Sequence, residues 1–290
     1  MPLEANVLRF LIVIPAYNEE KYIKACIDSL LNQSLQPKTI VVVDDSSTDG
    51  TLGILKAYDK NPVVTVLASH TNSTHQPGAK VVNAFKRGLE LVTIDDYDVV
   101  CKFDADLEFP FNYLETLNSA FLKNQCIGLC GGVCSVEKNG IWVPESLTNL
   151  DHVRGALKAY SSKAFKEIDG LKSQMGWDTA DEFKLRFRKW EVSVLENLHV
   201  KHKKNTGSSY TKTYFSKQGQ VFFSLRYDFF LLLMASLKLS IRTKHLKGFF
   251  QCVSSYFQSK KQNLTYLLDA EEGHFLRAYR YKAIWKKLKL

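Results

Sequence analysis

The 290-residue sequence predicts an α/β fold in which a mostly parallel sheet is flanked by helices and followed by a C-terminal helical extension. Three observations carry this. Short, unbroken apolar runs alternate with stretches of helical periodicity through the first hundred residues. Several of those runs end in carboxylate-rich turns. After about residue 208 the composition shifts to large apolar groups among Lys and Arg. The expected organisation is an α/β domain over 1–208 and a basic, apolar helical extension over 209–290.

Phe10–Ile14 is a continuous apolar run stopped by Pro15, the mark of a strand buried on both faces. Ile23, Cys26, Ile27, Leu30 and Leu31 follow at helical spacing, with Glu19 and Glu20 expected in the first turn. Ile40–Val43 is a second buried strand, running into Asp44-Asp45-Ser46-Ser47-Thr48-Asp49-Gly50-Thr51, a turn dense in cap formers. Val63–Leu67 reads as a third strand, Val81, Phe85 and Leu89 as a helix face, and 98–103 as the next strand. Such alternation gives a parallel sheet with helices on both faces, and ligands bind beyond the carboxyl ends of its strands. Three of those ends are loaded: Pro15-Ala16-Tyr17-Asn18-Glu19, Asp44-Asp45 and Asp104-Ala105-Asp106. In extended chain, Asp104, Asp106 and Glu108 would converge on one point and suit a divalent cation, Mg²⁺ or Mn²⁺.

Composition narrows the class. With 45% hydrophobic and 24% charged residues and no repeat, the chain is an ordinary globular protein. Residues 201–290 hold 18 basic against 4 acidic groups, so the overall charge of +9 is a mildly acidic body with a basic tail. Six cysteines do not make a disulfide scaffold; Cys126, Cys130 and Cys134, at spacing four in a strand-like stretch, read as buried fillers rather than zinc ligands. Met1–Asn6 has no signal-peptide pattern, and the longest apolar run, Phe229–Ala235, falls short of a spanning helix. The expectation is a cytoplasmic protein, peripheral on the inner face of the cell membrane. The sequons at Asn32, Asn72 and Asn263 then carry no meaning. Neither GxGxxG after the first strand nor GxxxxGK[ST] is present, which argues against a dinucleotide-type or P-loop phosphate site.

Ile14-Pro15-Ala16-Tyr17-Asn18-Glu19-Glu20, Val43 to Thr51, and Asp104-Ala105-Asp106 together resemble, in order and spacing, the family 2 glycosyltransferases of GT-A fold, of the bacterial cell-surface glycan type. The resemblance covers about residues 8–205. It implies that Pro15, Ala16, Tyr17 and Glu19 line a nucleotide-sugar pocket, Tyr17 beside the base, and that Asp45 accepts a hydrogen bond from the base. Asp104 would reach the ribose or the metal, Ala105 would line the same pocket, and Asp106 would ligate the metal bridging the diphosphate. Glu108 stands where some polyprenyl-phosphate sugar transferases carry a metal-ligating Gln. The family's Gly-Lys-Gly-rich loop appears as Pro77-Gly78-Ala79-Lys80, leaving Lys80 as the phosphate contact. Asp44 reads as a turn or cap acid rather than a ligand, and Asp49 as an N-cap or first-turn residue of the helix that follows.

The acceptor side is expected from residues 110–205. Phe183, Leu185 and Phe187 suggest a helix beginning near Asp178, within Trp177-Asp178-Thr179-Ala180-Asp181-Glu182. In the resembled family an acidic motif here opens a helix and supplies the catalytic base; Asp178 is the first choice and Asp181 the second. A simple capping role for Asp178 remains open. One base without a second carboxylate nucleophile predicts inversion at the anomeric carbon. His202, within Lys201-His202-Lys203-Lys204, is either a further metal or phosphate contact or part of a solvated basic turn.

In the tail, 221–235, 249–257 and 271–290 place aromatic and aliphatic groups among Lys and Arg, suiting an anionic membrane surface. Packing on the body or on another subunit is the bland alternative, and nucleic acid is disfavoured for want of a reading motif. The function this points to is metal-dependent, inverting transfer of a sugar from a nucleotide donor (a UDP- or GDP-sugar) to a lipid-linked or polysaccharide acceptor. The alternatives are a polyprenyl-phosphate sugar transferase, a sugar-phosphate nucleotidyltransferase lacking its glycine-rich loop, and a non-catalytic sugar-nucleotide-binding module.

Overall fold

The computed structural model describes residues 7–69, 78–145, 151–204 and 213–288; Asn72 and Pro77 fall outside them. The first strands and helices follow the apolar pattern: β1 (Phe10–Ala16), α1 (Ile23–Leu31), β2 (Thr39–Asp45), α2 (Thr51–Leu55), β3 (Val64–Ser69), α3 (Ala79–Leu89) and β4 (Val99–Phe103). Phe10 to Ile14 and Ile40 to Val43 have no exposed surface, as strands covered on both faces must. Glu19 and Glu20 precede α1 rather than lying in its first turn. The Glu19 carbonyl accepts from the Tyr22 and Ile23 N–H groups, and the Glu20 carboxylate turns away to the Gly50 N–H at 2.8 Å.

The rest of the sheet is mixed. After β5 (Leu107–Glu108) and α4 (Tyr113–Lys123) come the long β6 (Ile127–Lys138), β7 (Ile141–Pro144), β8 (Leu157–Ser161) and α5 (Ser162–Glu167). The helix α6 (Trp177–Phe187) and strand β9 (Glu191–His202) complete this part. The order is β3-β2-β1-β4-β8-β6-β9-β5, with β7 on β6. β1 pairs in parallel with β2 and β4, and β3 with β2, whereas β8 is antiparallel to both β4 and β6. The parallel strand–helix reading thus holds for the first four strands, and β6 and β9 are again parallel neighbours, with antiparallel β8 between the two parallel sets. Cys130 and Cys134 fill the core of β6 as expected, but Cys126, one residue before that strand, is exposed.

The chain divides into two compact units, residues 1–173 with 188–206, and residues 174–187 with 207–290. Helix α6 therefore groups with the C-terminal helices α7 (Tyr214–Ser224), α8 (Phe229–Arg242), α9 (Lys247–Lys261) and α10 (Ala270–Leu288). Ala180 and Phe183 of α6 join Val221, Leu225, Leu231 and Leu276 in one apolar cluster. The sequence of α6 looks forward to this, because its apolar face needs a partner surface and the helical tail supplies one. Among the described residues no helix is long and apolar enough to cross a membrane.

Helix α3 approaches the sheet closely at Gly88. A Cβ built there would stand 2.5 Å from Val13 Cγ1 and 3.0 Å from Val43 Cγ2. Gly88→Ala is therefore expected to destabilise the first unit by about 1–3 kcal/mol through overpacking, read as a lower denaturant midpoint. An unchanged midpoint would mean that α3 can shift away from β1 without cost.

Candidate active site

Because β1, β2 and β4 are parallel neighbours, their carboxyl ends share one edge, with Ala16 in register with Asp44. A cavity of about 350 Å³ lies there. Pro15, Ala16, Tyr17 and Glu19 enter it from the end of β1 and the following loop, and Asp45 from the end of β2. Lys80 comes from the first turn of α3, and Asp104, Ala105 and Asp106 from the turn after β4. Every residue expected to contact a sugar nucleotide thus lines one cavity, which Gly78, Val81, Ala84 and Lys204 complete.

Two loops are laced together to form its wall. Asn18 adopts a left-handed backbone (φ 55°), which Asn tolerates better than most residues. Its N–H donates to Ser47 Oγ at 2.9 Å and its Oδ1 accepts from the Thr48 N–H at 2.8 Å. The Glu19 N–H donates to Thr51 Oγ1 at 2.8 Å. Asp44 Oδ2 accepts from the Ser47 N–H at 3.2 Å, a turn role, and Asp49 Oδ1 accepts from the Thr51 N–H at 3.0 Å in the turn ahead of α2, whose N-cap position is Gly50 rather than Asp49.

Charges alternate around the cavity. Tyr17 is 46% exposed, so it is no core aromatic, and Lys80 Nζ stands 4.8 Å from its ring centroid. Arg87 Nη2 donates to Asp45 Oδ1 at 2.5 Å, a partner from α3 that the sequence reading lacks. Lys204 Nζ holds Glu19 Oε1 at 2.7 Å; burial nevertheless pushes the Glu19 carboxyl above its usual range, against the pull of that lysine. The buried Lys102 ammonium pairs with Asp104 Oδ1 and with the Gly155 carbonyl at 3.0 Å.

The chain does not stay extended past β4. It turns at Ala105 and Asp106 before entering β5, so the three acids do not converge. Instead each meets its own cation or imidazole. Glu108 does not line the cavity; its oxygens accept from Lys201 at 2.6 Å and Lys203 at 2.9 Å, and these lysines hold its carboxyl below the usual range. His202, opposite Leu107 in the β5–β9 pairing, is 3% exposed and sets Nε2 3.2 Å from Asp106 Oδ2. Burial lowers this imidazole's proton affinity, but the Asp106 hydrogen bond and charge outweigh it and raise the pKa.

The donor set fits a hard cation at Asp106. Its Oδ1 is buried without a hydrogen-bond partner, a condition that costs about 1–3 kcal/mol unless a ligand supplies one. Carboxylate oxygens at the mouth of a cavity that also offers Lys80 and Lys204 suit Mg²⁺ or Mn²⁺ with a diphosphate. Glu108, occupied by two lysines, fits that role least well.

Asp178 and Asp181 belong to the second unit. Asp178 is half-buried in the first turn of α6. Asp181 is 2% exposed and its Oδ1 accepts from the Glu182 N–H at 2.7 Å.

Comparison with known proteins adds to this geometry. Residues 11–191 match the family model of glycosyl transferase family 2. A 97-residue stretch, 32% of the chain, is 37% identical to the poly(ribitol-phosphate) beta-glucosyltransferase of Bacillus spizizenii but spans only 15% of that enzyme. A 153-residue stretch, 50% of the chain, is 29% identical to the putative teichuronic acid biosynthesis glycosyltransferase TuaG of Bacillus subtilis and spans 57% of it. The S. aureus TarS 1-349 structure in complex with UDP-GlcNAc superposes with a TM-score of 0.58 at 23% identity, over 77% of this chain and 68% of that one. That likeness establishes a common fold, the GT-A arrangement expected above. With the family match running from β1 to the start of β9, and the three motifs gathered at one sheet edge, the chain belongs to glycosyl transferase family 2.

Proposed function

We propose that this protein transfers a sugar from a nucleotide donor to a glycan or lipid-linked acceptor in cell-surface polymer synthesis, with inversion at the anomeric carbon. The observation that carries this reading is the single cavity that gathers Pro15, Tyr17, Glu19, Asp45, Lys80, Asp104 and Asp106 in a family 2 chain. Its similarity to a teichuronic acid biosynthesis enzyme and a poly(ribitol-phosphate) glucosyltransferase supports the polymer class.

In this reading Tyr17 stacks beside the base and Asp45, oriented by Arg87, accepts a hydrogen bond from it. Asp104 takes the ribose, and Lys80 and Lys204 face the phosphates. A divalent cation, Mg²⁺ or Mn²⁺, would be held by Asp106 and supply Lewis-acid charge relief on the departing diphosphate. Asp178 accepts the proton of the acceptor hydroxyl as its oxygen bonds to the anomeric carbon and the bond to the nucleoside diphosphate breaks. Asp178 is preferred to Asp181 because it lies in the first helical turn and is less buried.

A thermal-shift screen of UDP- and GDP-sugars with Mn²⁺ tests the donor class. A nucleotide-specific rise in Tm is expected, and no shift with any nucleotide would overturn the reading. Arg87→Ala should raise the donor KM by about 10-fold or more, the cost of freeing a charged hydrogen bond that orients Asp45, while leaving kcat within a few-fold. A change in kcat alone would place Arg87 elsewhere in the reaction.

For the second unit we propose contact with an anionic membrane surface. A cavity of about 390 Å³ there combines Phe222, Leu231, Met234 and Ile284 with Lys238, Arg242, Arg280 and Lys287. Phe229, Phe230 and Ile241 of α8 are 59%, 60% and 63% exposed. Apolar groups beside four cationic side chains suit a lipid headgroup and its chain. Phe229→Ser/Ile241→Ser should abolish sedimentation with anionic vesicles and leave donor binding intact; equal sedimentation of variant and parent would sink this reading.

A further inference from the structure

Cys134, Glu145 and His202 are brought together by strand pairing rather than by sequence. Glu145 follows β7 directly, and its N–H donates to the Cys134 carbonyl at 2.9 Å, extending the β6–β7 ladder. In the β6–β9 pairing Cys134 faces Val200, and His202, two residues on, returns to the same side of the strand. One donor atom from each residue lies within 4.8 Å of the other two. The three residues are 0%, 7% and 3% exposed respectively.

The imidazole supplies the second observation. His202 Nε2 is engaged by Asp106 Oδ2 at 3.2 Å, while Nδ1 is buried with no hydrogen-bond partner. A metal-ligating histidine typically gives its other ring N–H to a carboxylate, which fixes the tautomer and aims the free nitrogen at the ion. The 3.2 Å approach of Nε2 to Asp106 matches that arrangement in the tautomer that carries its proton on Nε2 and leaves Nδ1 without a hydrogen-bond partner. Arg154 Nη2 holds Glu145 Oε2 at 3.0 Å and orients that carboxylate in turn.

We infer that Cys134, Glu145 and His202 Nδ1 form a binding site for a borderline-soft transition metal of the Zn²⁺ class. Thiolate, imidazole and carboxylate donors together select such an ion over Mg²⁺ or Ca²⁺, which take oxygen ligands. Cys134 gives up its thiol proton to solvent on binding, and three protein donors leave one tetrahedral position for water. The ion ties β6, the end of β7 and β9 together and, through the Nε2–H to Asp106 hydrogen bond, aims the carboxylate at the cavity. This site differs in ligands and in hardness from the proposed donor cation and does not depend on it.

The test uses the full chain, stripped by a chelator and then titrated with Zn²⁺ against a chromophoric competitor and separately with Co²⁺, both without nucleotide. Stoichiometric Zn²⁺ uptake and a thiolate-to-cobalt charge-transfer band are expected. Cys134→Ser should lose that band, and Glu145→Gln should weaken Zn²⁺ uptake. Asp106→Ala should keep the band and weaken metal affinity by about 10–100-fold, as loss of an outer-shell partner does. No stoichiometric uptake, or a Co²⁺ spectrum without a thiolate band in the parent protein, would overturn the inference whether or not the variants fold. A thermal-shift screen without any nucleotide response, with the thiolate band retained in the metal titration, would instead count against the donor reading alone.

Discussion

Replacing Asp106 by alanine should lower sugar transfer by at least about 10²–10³-fold in kcat/KM, equivalent to roughly 3–4 kcal/mol of transition-state stabilisation. In the proposed reaction the departing group would be a nucleoside diphosphate, and Asp106 would hold the cation that supplies charge relief to it. Asp106 Oδ1 is buried and unpartnered, whereas the neighbouring Asp104 is already drawn to Lys102, so Asp104→Ala is expected to cost less. The variant also deprives His202 Nε2 of its partner, so a fall in stability must be separated from a fall in chemistry. Calorimetric titration of UDP with and without Mn²⁺ does this. The parent should show metal-enhanced binding and the folded variant none. Full activity in the variant would remove Asp106 from the mechanism.

The second large effect is expected at Asp178. Asp178→Asn keeps the shape of the first turn of α6 but cannot take a proton, so kcat should fall by about 10²–10⁴-fold with the donor KM little changed. Asp181→Asn is the control. Its carboxylate is buried and bonded to the Glu182 N–H, so the change should show in Tm rather than in kcat. The reverse pattern, a kcat loss at Asp181 with unchanged Tm, would move the base there.

Both predictions rest on residues that the sequence made visible for local reasons. Apolar runs that stop at Pro15, Asp44 and Asp104 announce strand ends, and parallel neighbours put those ends on one edge. Nine residues named from the motifs line one cavity as a result. Tyr17, ambiguous as a core aromatic or a ligand contact in sequence, proves half-exposed beside Lys80.

What escaped the sequence is what depends on partners far along the chain. Arg87 and Lys204 reach Asp45 and Glu19 from α3 and from just beyond β9, and nothing near the motifs signals them. Glu108 looked like a third metal acid until β9 paired with β5 and brought Lys201 and Lys203 to its oxygens. The cysteine spacing suggested only core filling, because the Glu145 and His202 that meet Cys134 arrive on other strands. The antiparallel insertion of β8 between β4 and β6, and the grouping of α6 with the tail helices, were equally invisible.

Sequence alone therefore determined the order of the first strands and helices and the acids at the strand ends, since burial periodicity and turn chemistry act over a few residues. Tertiary structure decided which cation or imidazole each acid meets, because a hydrogen bond of about 3 Å depends on where the sheet brings distant strands together.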